Sequence, residues 1–169
     1  MGRTMRGFAR VLQAVTALVL SAGLATAHEV TPAIADLRVE EGQIALDIRL
    51  NLEAMVAGID LDGLRDTDTS GRSADYDELR GLTEAELRPM AATFAEDWLQ
   101  ELSIIAGDRV TLEVTEIMIP DPGDTTLPRQ SIFLLNGTVP AQAGHLVLHW
   151  PAGSGSVVLR QHGVEGAYA

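Results

Sequence analysis

The sequence has no cysteine. Neither a disulfide nor a thiolate metal site can hold the fold together, so stability has to come from an apolar core. Lysine is also missing: the 12 basic residues are all arginine and stand against 24 acids. A chain this acidic lacks the basic face that nucleic acids and anionic lipid surfaces require. Aromatic residues are scarce, with two tryptophans, two tyrosines and three phenylalanines, so each buried ring carries a large share of the core. A nucleophile elbow of the Gly-x-Ser-x-Gly type is absent, because Gly153-Ser154-Gly155 has the wrong spacing and reads as a turn. Nothing singles out one pair among the many acids. The expectation is a protein that is not an enzyme.

The longest apolar run lies at the N-terminus, and no second one follows it. Arg3, Arg6 and Arg10 form a basic stretch, Val11 to Leu20 a short apolar core, and Ala25-Thr26-Ala27 a signal-peptidase site. A spanning helix needs roughly 20 apolar residues, and Gln13, Ser21 and Gly23 leave this one short. Residues 1–27 therefore read as a signal peptide cleaved before His28, and residues 28–169 as an exported, periplasmic domain without a membrane span of its own. Removal of the three leader arginines leaves nine arginines against 24 acids, a formal charge of −15.

Beyond the leader, Ala33 to Val39 alternates apolar and polar residues, Glu40-Glu41-Gly42 supplies a turn, and Gln43 to Leu52 alternates again. This pattern predicts a β-hairpin with one wet face. A helical insertion is expected over about 73–101. Its first segment, Ser73 to Arg80, is expected to be capped by Ser73 and stopped by Gly81. Its second opens on the capping box Thr83-x-x-Glu86, with Leu82 and Leu87 placed as a hydrophobic staple. Leu87, Met90, Ala91, Phe94, Trp98 and Leu102 recur at helical spacing and predict its buried face, with Glu84, Arg88 and Glu96 in water. Pro89 predicts a kink or a restart one turn in. A second hairpin follows, from Leu102 to Ala106 and from Val110 to Ile119, then short strands at Ser131 to Val139, His145 to Trp150 and Ser156 to Gln161. About seven short strands at this spacing predict a mostly β protein, an antiparallel β-sandwich with the helices inserted between the first and second hairpins.

Three sets of residues invite a metal reading. His145 and His149 would chelate on a helix, but His-Leu-Val-Leu-His-Trp is strand text, where residues four apart lie roughly 13 Å from each other. His28 becomes the N-terminal residue after processing, and its α-amino group and imidazole together suit Cu²⁺ or Ni²⁺, which favour nitrogen ligands. Asp66, Asp68, Ser70, Gly71 and Asp77 fall at positions 1, 3, 5, 6 and 12 of a degenerate calcium-loop pattern. Asp77 replaces the longer bidentate glutamate of that pattern, and a turn-rich loop that caps the Ser73 helix accounts for the same residues.

Several stretches together resemble one family. They are the Ala-His-Glu-Val-x-Pro that closes the leader, the strand pair IADLRV and IALDIRLNLEA, the Ala-Gly-Ile-Asp-Leu turn and the Asp-Thr-Asp loop. The later Ala-Gly-Asp-Arg turn, the Leu-Pro-Arg before a strand and Val-Val-Leu-Arg-Gln add to the likeness. They are similar to the exported N-terminal region of HupE/UreJ-type proteins, the hydrogenase and urease accessory membrane proteins. In that family the soluble region precedes a multi-helix membrane part associated with nickel. The resemblance therefore implies a non-enzymatic domain linked to metal supply, held at the inner membrane through a C-terminal part outside this sequence and partnered by it or by another envelope protein. The alternative is a free-standing periplasmic Cu or Ni module that uses His28, and a further one is a purely structural docking domain.

Overall fold

A computed structural model describes residues 29–140 and 143–163. The leader and His28 lie outside the described residues. Strands β1 (Ala33–Glu40) and β2 (Gln43–Leu50) form the expected hairpin, in antiparallel register from Ile34↔Arg49 to Glu40↔Gln43. Its turn takes positive φ at Glu41 and Gly42, and Gly42 is the natural residue there because the Val139 carbonyl lies 3.2 Å from where a Cβ would sit. Ile44, Leu46, Ile48 and Leu50 are buried on one face, and Asp47 and Arg49 lie on the other.

The alternation continues in the sequence through Leu52, yet the strand stops at Leu50. Residues Leu52–Val56 instead form a short helix, α1, because the Asn51 side chain accepts from the Ala54 amide at 3.2 Å and caps it. A 3₁₀ turn (Thr67–Thr69), α2 (Ser73–Arg80) and α3 (Glu84–Glu101) follow. The N-cap of α2 is Arg72, without a side-chain capping bond, so Ser73 is its first helical residue and not its cap. The capping box of α3 is present in both directions between Thr83 and Glu86. The helix runs unbroken through Pro89. Proline removes one amide donor, and here that loss does not end the helix. Leu87, Ala91, Ala95 and Trp98 make the buried face, while Phe94 is partly buried. Met90 is 46% exposed and leaves the expected stripe.

The remaining strands are β3 (Ser103–Ala106), β4 (Asp108–Val110), β5 (Leu112–Met118), β6 (Ser131–Thr138), β7 (Val147–His149) and β8 (Val157–Gln161). Eight strands form two sheets, five in the order β5-β6-β2-β1-β8 and three in the order β4-β3-β7. The protein is thus mostly β with a helical insertion, as expected, but two predictions about pairing fail. The stretch from Val110 to Ile119 is not one strand: β4 belongs to the small sheet, the ladder breaks at Thr111, and β5 joins the large one beside β6. Gly137 on β6 lets this corner come close, since a Cβ there would meet the Thr111 carbonyl and Val110 Cγ1 at 2.9 Å.

The large sheet is also not wholly antiparallel, because β8 runs parallel to β1, from Ala33↔Val157 to Leu37↔Gln161. The cause is the turn before β8. Asp62 accepts from the amides of Gly153 (2.7 Å) and Gly155 (3.0 Å) with its two carboxylate oxygens. The Ala33 amide donates to the Ser156 carbonyl at 2.9 Å. These three bonds deliver the start of β8 beside the start of β1.

An aromatic cluster ties α3 to the large sheet. Trp98 meets Phe133 of β6 edge-on at 5.9 Å and Trp150 at 5.3 Å, and stacks on Phe94 at 6.1 Å. The Trp98 indole donates to Ser154 Oγ at 2.9 Å, which satisfies its one polar atom in the core.

Candidate functional site

The best-formed concavity is a cleft of about 540 Å³ lined from both sheets. Leu37 (β1), Leu46 (β2) and Leu159 (β8) contribute from the large sheet, Ile104 (β3) and Leu148 (β7) from the small one, and Val139, Leu146 and His145 from the segments before β7. Strand alternation explains the apolar wall: Leu37, Leu46 and Leu135 stand in one cross-strand row on the face opposite the charged one. The cleft borders the outer strands of both sheets, β8 and β7. Of the exposed apolar residues on those strands, Leu159 (42% exposed) lines the cleft, while Val147 and Val158 do not. Apart from His145 and Gln161 the lining side chains are apolar. A guest here would be apolar, and the volume lies in the range of small-ligand sites and single inserted side chains.

Two charged networks lie outside the cleft. At the base of the helical insertion Glu53, fully buried on α1, pairs with the Arg129 Nε. Arg129 also donates to the carbonyls of Leu82 at 2.9 Å and Pro120 at 3.1 Å, so one guanidinium joins α1, the α2–α3 connection and the loop before β6. Tyr76 of α2 is buried beside them, its hydroxyl accepting from Asn51 at 2.8 Å and its ring lying under the Arg80 guanidinium at 4.6 Å. Burial pushes the Tyr76 phenol up from its ordinary value.

The second network lies on the outer face of the large sheet. Asp36 accepts from Arg160 Nε at 2.7 Å and from Arg49 at 2.8 Å, and its Oδ1 lies 2.9 Å from His162 Nε2. The Arg160 hydrogen bond holds the Asp36 carboxyl far below the usual aspartate range, against the opposing effect of burial. This network fastens β8 to β1.

The residues singled out in the sequence do not meet here. Asp66 caps the 3₁₀ turn through a bond from the Asp68 amide at 2.9 Å. Ser70 Oγ accepts from the Arg72 amide, and Asp77 pairs with Arg80. Asp66 and Ser70 thus serve the turn and Asp77 the helix α2, while no side chain of the loop caps α2. Among the described residues, no three His, Cys, Asp or Glu side chains come close enough to hold a metal ion. Asp66 does form a backbone bridge with Glu29, but His28 itself lies outside the described residues. His149 is on β7, opposite Ser103, and His145 lines the cleft.

Sequence reasoning missed the cleft. The short strand from Ser156 to Gln161 was visible, but only long-range pairing brings Leu159 of β8 and Leu148 of β7 to one cleft. Among the described residues no helix is long and apolar enough to cross a membrane. No family model, curated protein or solved structure matches the chain.

Proposed function

We propose that this chain is a non-enzymatic, exported docking domain of the HupE/UreJ-like kind, and that its cleft receives an apolar segment of a membrane-embedded partner. The observation that carries the reading is the cleft itself, an apolar concavity bordered by two edge strands with exposed apolar side chains. Monomeric soluble proteins seldom leave such apolar surface beside open strand edges without a use for it. In this reading the two sheets are the leaves of a β-sandwich open on the β7/β8 side. A cleft walled by both sheets supports that arrangement. The motif resemblance supports the partner, and with it a periplasmic place and a link to nickel supply.

A photo-crosslinking amino acid placed at Leu159 tests the reading in a host that exports the protein. The expected product is a crosslink to a multi-helix inner-membrane protein, absent when the same group replaces Glu113 on the opposite face. Equal crosslinking from both positions, or none from Leu159, counts against it. Ni²⁺ and Cu²⁺ titration of the processed chain addresses the rival metal module, which requires affinity that falls on His28→Ala.

A further inference from the structure

The free edge of β8 is built like one half of a hairpin. Among the described residues β8 closes the large sheet, with β1 as its one neighbour. The Ala33 amide donates to the Ser156 carbonyl and the His162 amide to the Leu37 carbonyl, both at 2.9 Å. Even-numbered residues from Ser156 to His162 therefore direct their backbone groups at β1, and Val157, Leu159 and Gln161 turn theirs outward. Folded proteins blunt such a row of unpaired groups with charge, proline or a covering segment. Here the row is flanked by apolar side chains instead. Val158 is 47% and Leu159 42% exposed, and as neighbours in a strand they lie on opposite faces of the sheet.

The chain itself supplies a covering strand. β8 ends at Gln161, and two residues on Gly163 has φ +80°, the left-handed value that the third residue of a type II turn requires. With His162 and Gly163 at the corner, residues 164–169 run back along β8 in the antiparallel sense. Gln161 then pairs with Val164 and Leu159 with Gly166, each at a hydrogen-bonded position, which matches the outward groups of β8.

The side chains agree with this register. On the outer face of the sheet Glu165 falls opposite Arg160 and Ala167 opposite Val158. On the cleft face Tyr168 falls opposite Val157. Opposite charges and apolar pairs directly across a ladder stabilise it. A slip of one residue would carry Glu165 to the cleft face, against Leu159.

We infer that the β8 edge is a strand-acceptor site, and that its occupant is this chain's own segment 164–169, folded back about His162 and Gly163. The inference does not depend on the function proposed for the cleft. Gly166 brings no side chain to Leu159, so the added strand protects the edge and leaves Leu159 uncovered on the cleft side.

The chain has no cysteine, so an introduced pair reports on this contact alone. In the processed chain, Val158→Cys with Ala167→Cys occupies a non-hydrogen-bonded pair, where side chains approach closest. Val158→Cys with Val164→Cys has a shorter tether, yet the strand holds its thiols on opposite faces of the sheet. Air oxidation, read by mass and by non-reducing electrophoresis, should close the first pair within one chain and leave the second open. Equal closure of both pairs would mark an unpaired tail and overturn the proposal, as would failure of the first pair to close. A disulfide-linked dimer would assign the edge to a second copy and overturn it as well. Hydrogen exchange checks the same contact without cysteines. The Leu159 amide should exchange slowly, and about tenfold or more faster in Gly166→Pro, which cannot donate to β8. Fast exchange of that amide in the unaltered chain counts against the strand.

Discussion

Asp36 stands on the wet side of a sheet, yet it is only 7% exposed because Arg49, Arg160 and His162 close over it. The carboxylate matters more than the individual bonds, since without it two guanidiniums face each other across β1. The arginines are themselves 38% and 37% exposed, so solvent screening discounts the network. Asp36→Asn should cost about 1–3 kcal/mol at neutral pH. The sign of the pH dependence follows from the direction of the shift. The folded carboxyl titrates below its unfolded value near 3.8, so its stabilisation is whole above that value and is lost as pH falls through the folded one. Urea unfolding of both proteins at pH 7, 5 and 2.5 should show a gap that is constant between the first two and narrower at the third. A gap unchanged at pH 2.5 would assign the effect to packing and not to charge.

At the scale of elements, α3 shows what periodicity can and cannot deliver. Its start was written in Thr83 and Glu86, because a capping box is a local bond pattern between neighbours. Its buried face was only partly legible. At 100° per residue Met90 falls roughly a quarter turn from the centre of the arc formed by Leu87, Ala91, Ala95 and Trp98, so it reaches past the sheet into solvent. Ala95 lies on the same arc as Ala91 but is absent from the predicted stripe. Helix α1 was hidden for a different reason: Leu50, Asn51 and Leu52 continue a strand alternation perfectly well, and only the capping bond of Asn51 decides otherwise. Trp98 is the residue on which α3 depends, touching Phe94, Phe133 and Trp150 at once. Trp98→Ala should lower stability by about 3–5 kcal/mol, and Trp98→Phe, which loses the Ser154 bond but keeps a ring, by about 0.5–1.5 kcal/mol. Urea midpoints compared across the three proteins check this order. If alanine and phenylalanine cost the same, the indole bond and not the ring cluster holds the helix.

For the whole molecule, strand composition foretold a mostly β fold with a helical insertion, because alternation and turn residues are local. Strand direction was not foretold. Nothing in Val157 to Gln161 says that it will lie parallel to β1; that depends on Asp62 meeting two glycine amides more than ninety residues away in the chain. The same long range hid the cleft and the division of Val110 to Ile119 between two sheets.

The parallel contact of β8 with β1 also sets an order of events. Asp36 and Arg160 are separated by 124 positions, so β1 exists long before the strand that flanks it. During that interval the β1–β2 hairpin presents a bare edge, which is where unfinished sheets recruit the wrong neighbour. Assembly of the large sheet is therefore gated by its most distant segment, and nonlocal closure of this kind is slow. A chain ending at Ser156 should associate into oligomers through β1, as read by light scattering, and a synthetic peptide of residues 157–163 supplied in trans should suppress that association. If the shortened chain stays monomeric without the peptide, β1 is guarded by something other than β8. Otherwise β8 acts as the chaperone of β1, a protection that arrives only after the long stretch between them has been made.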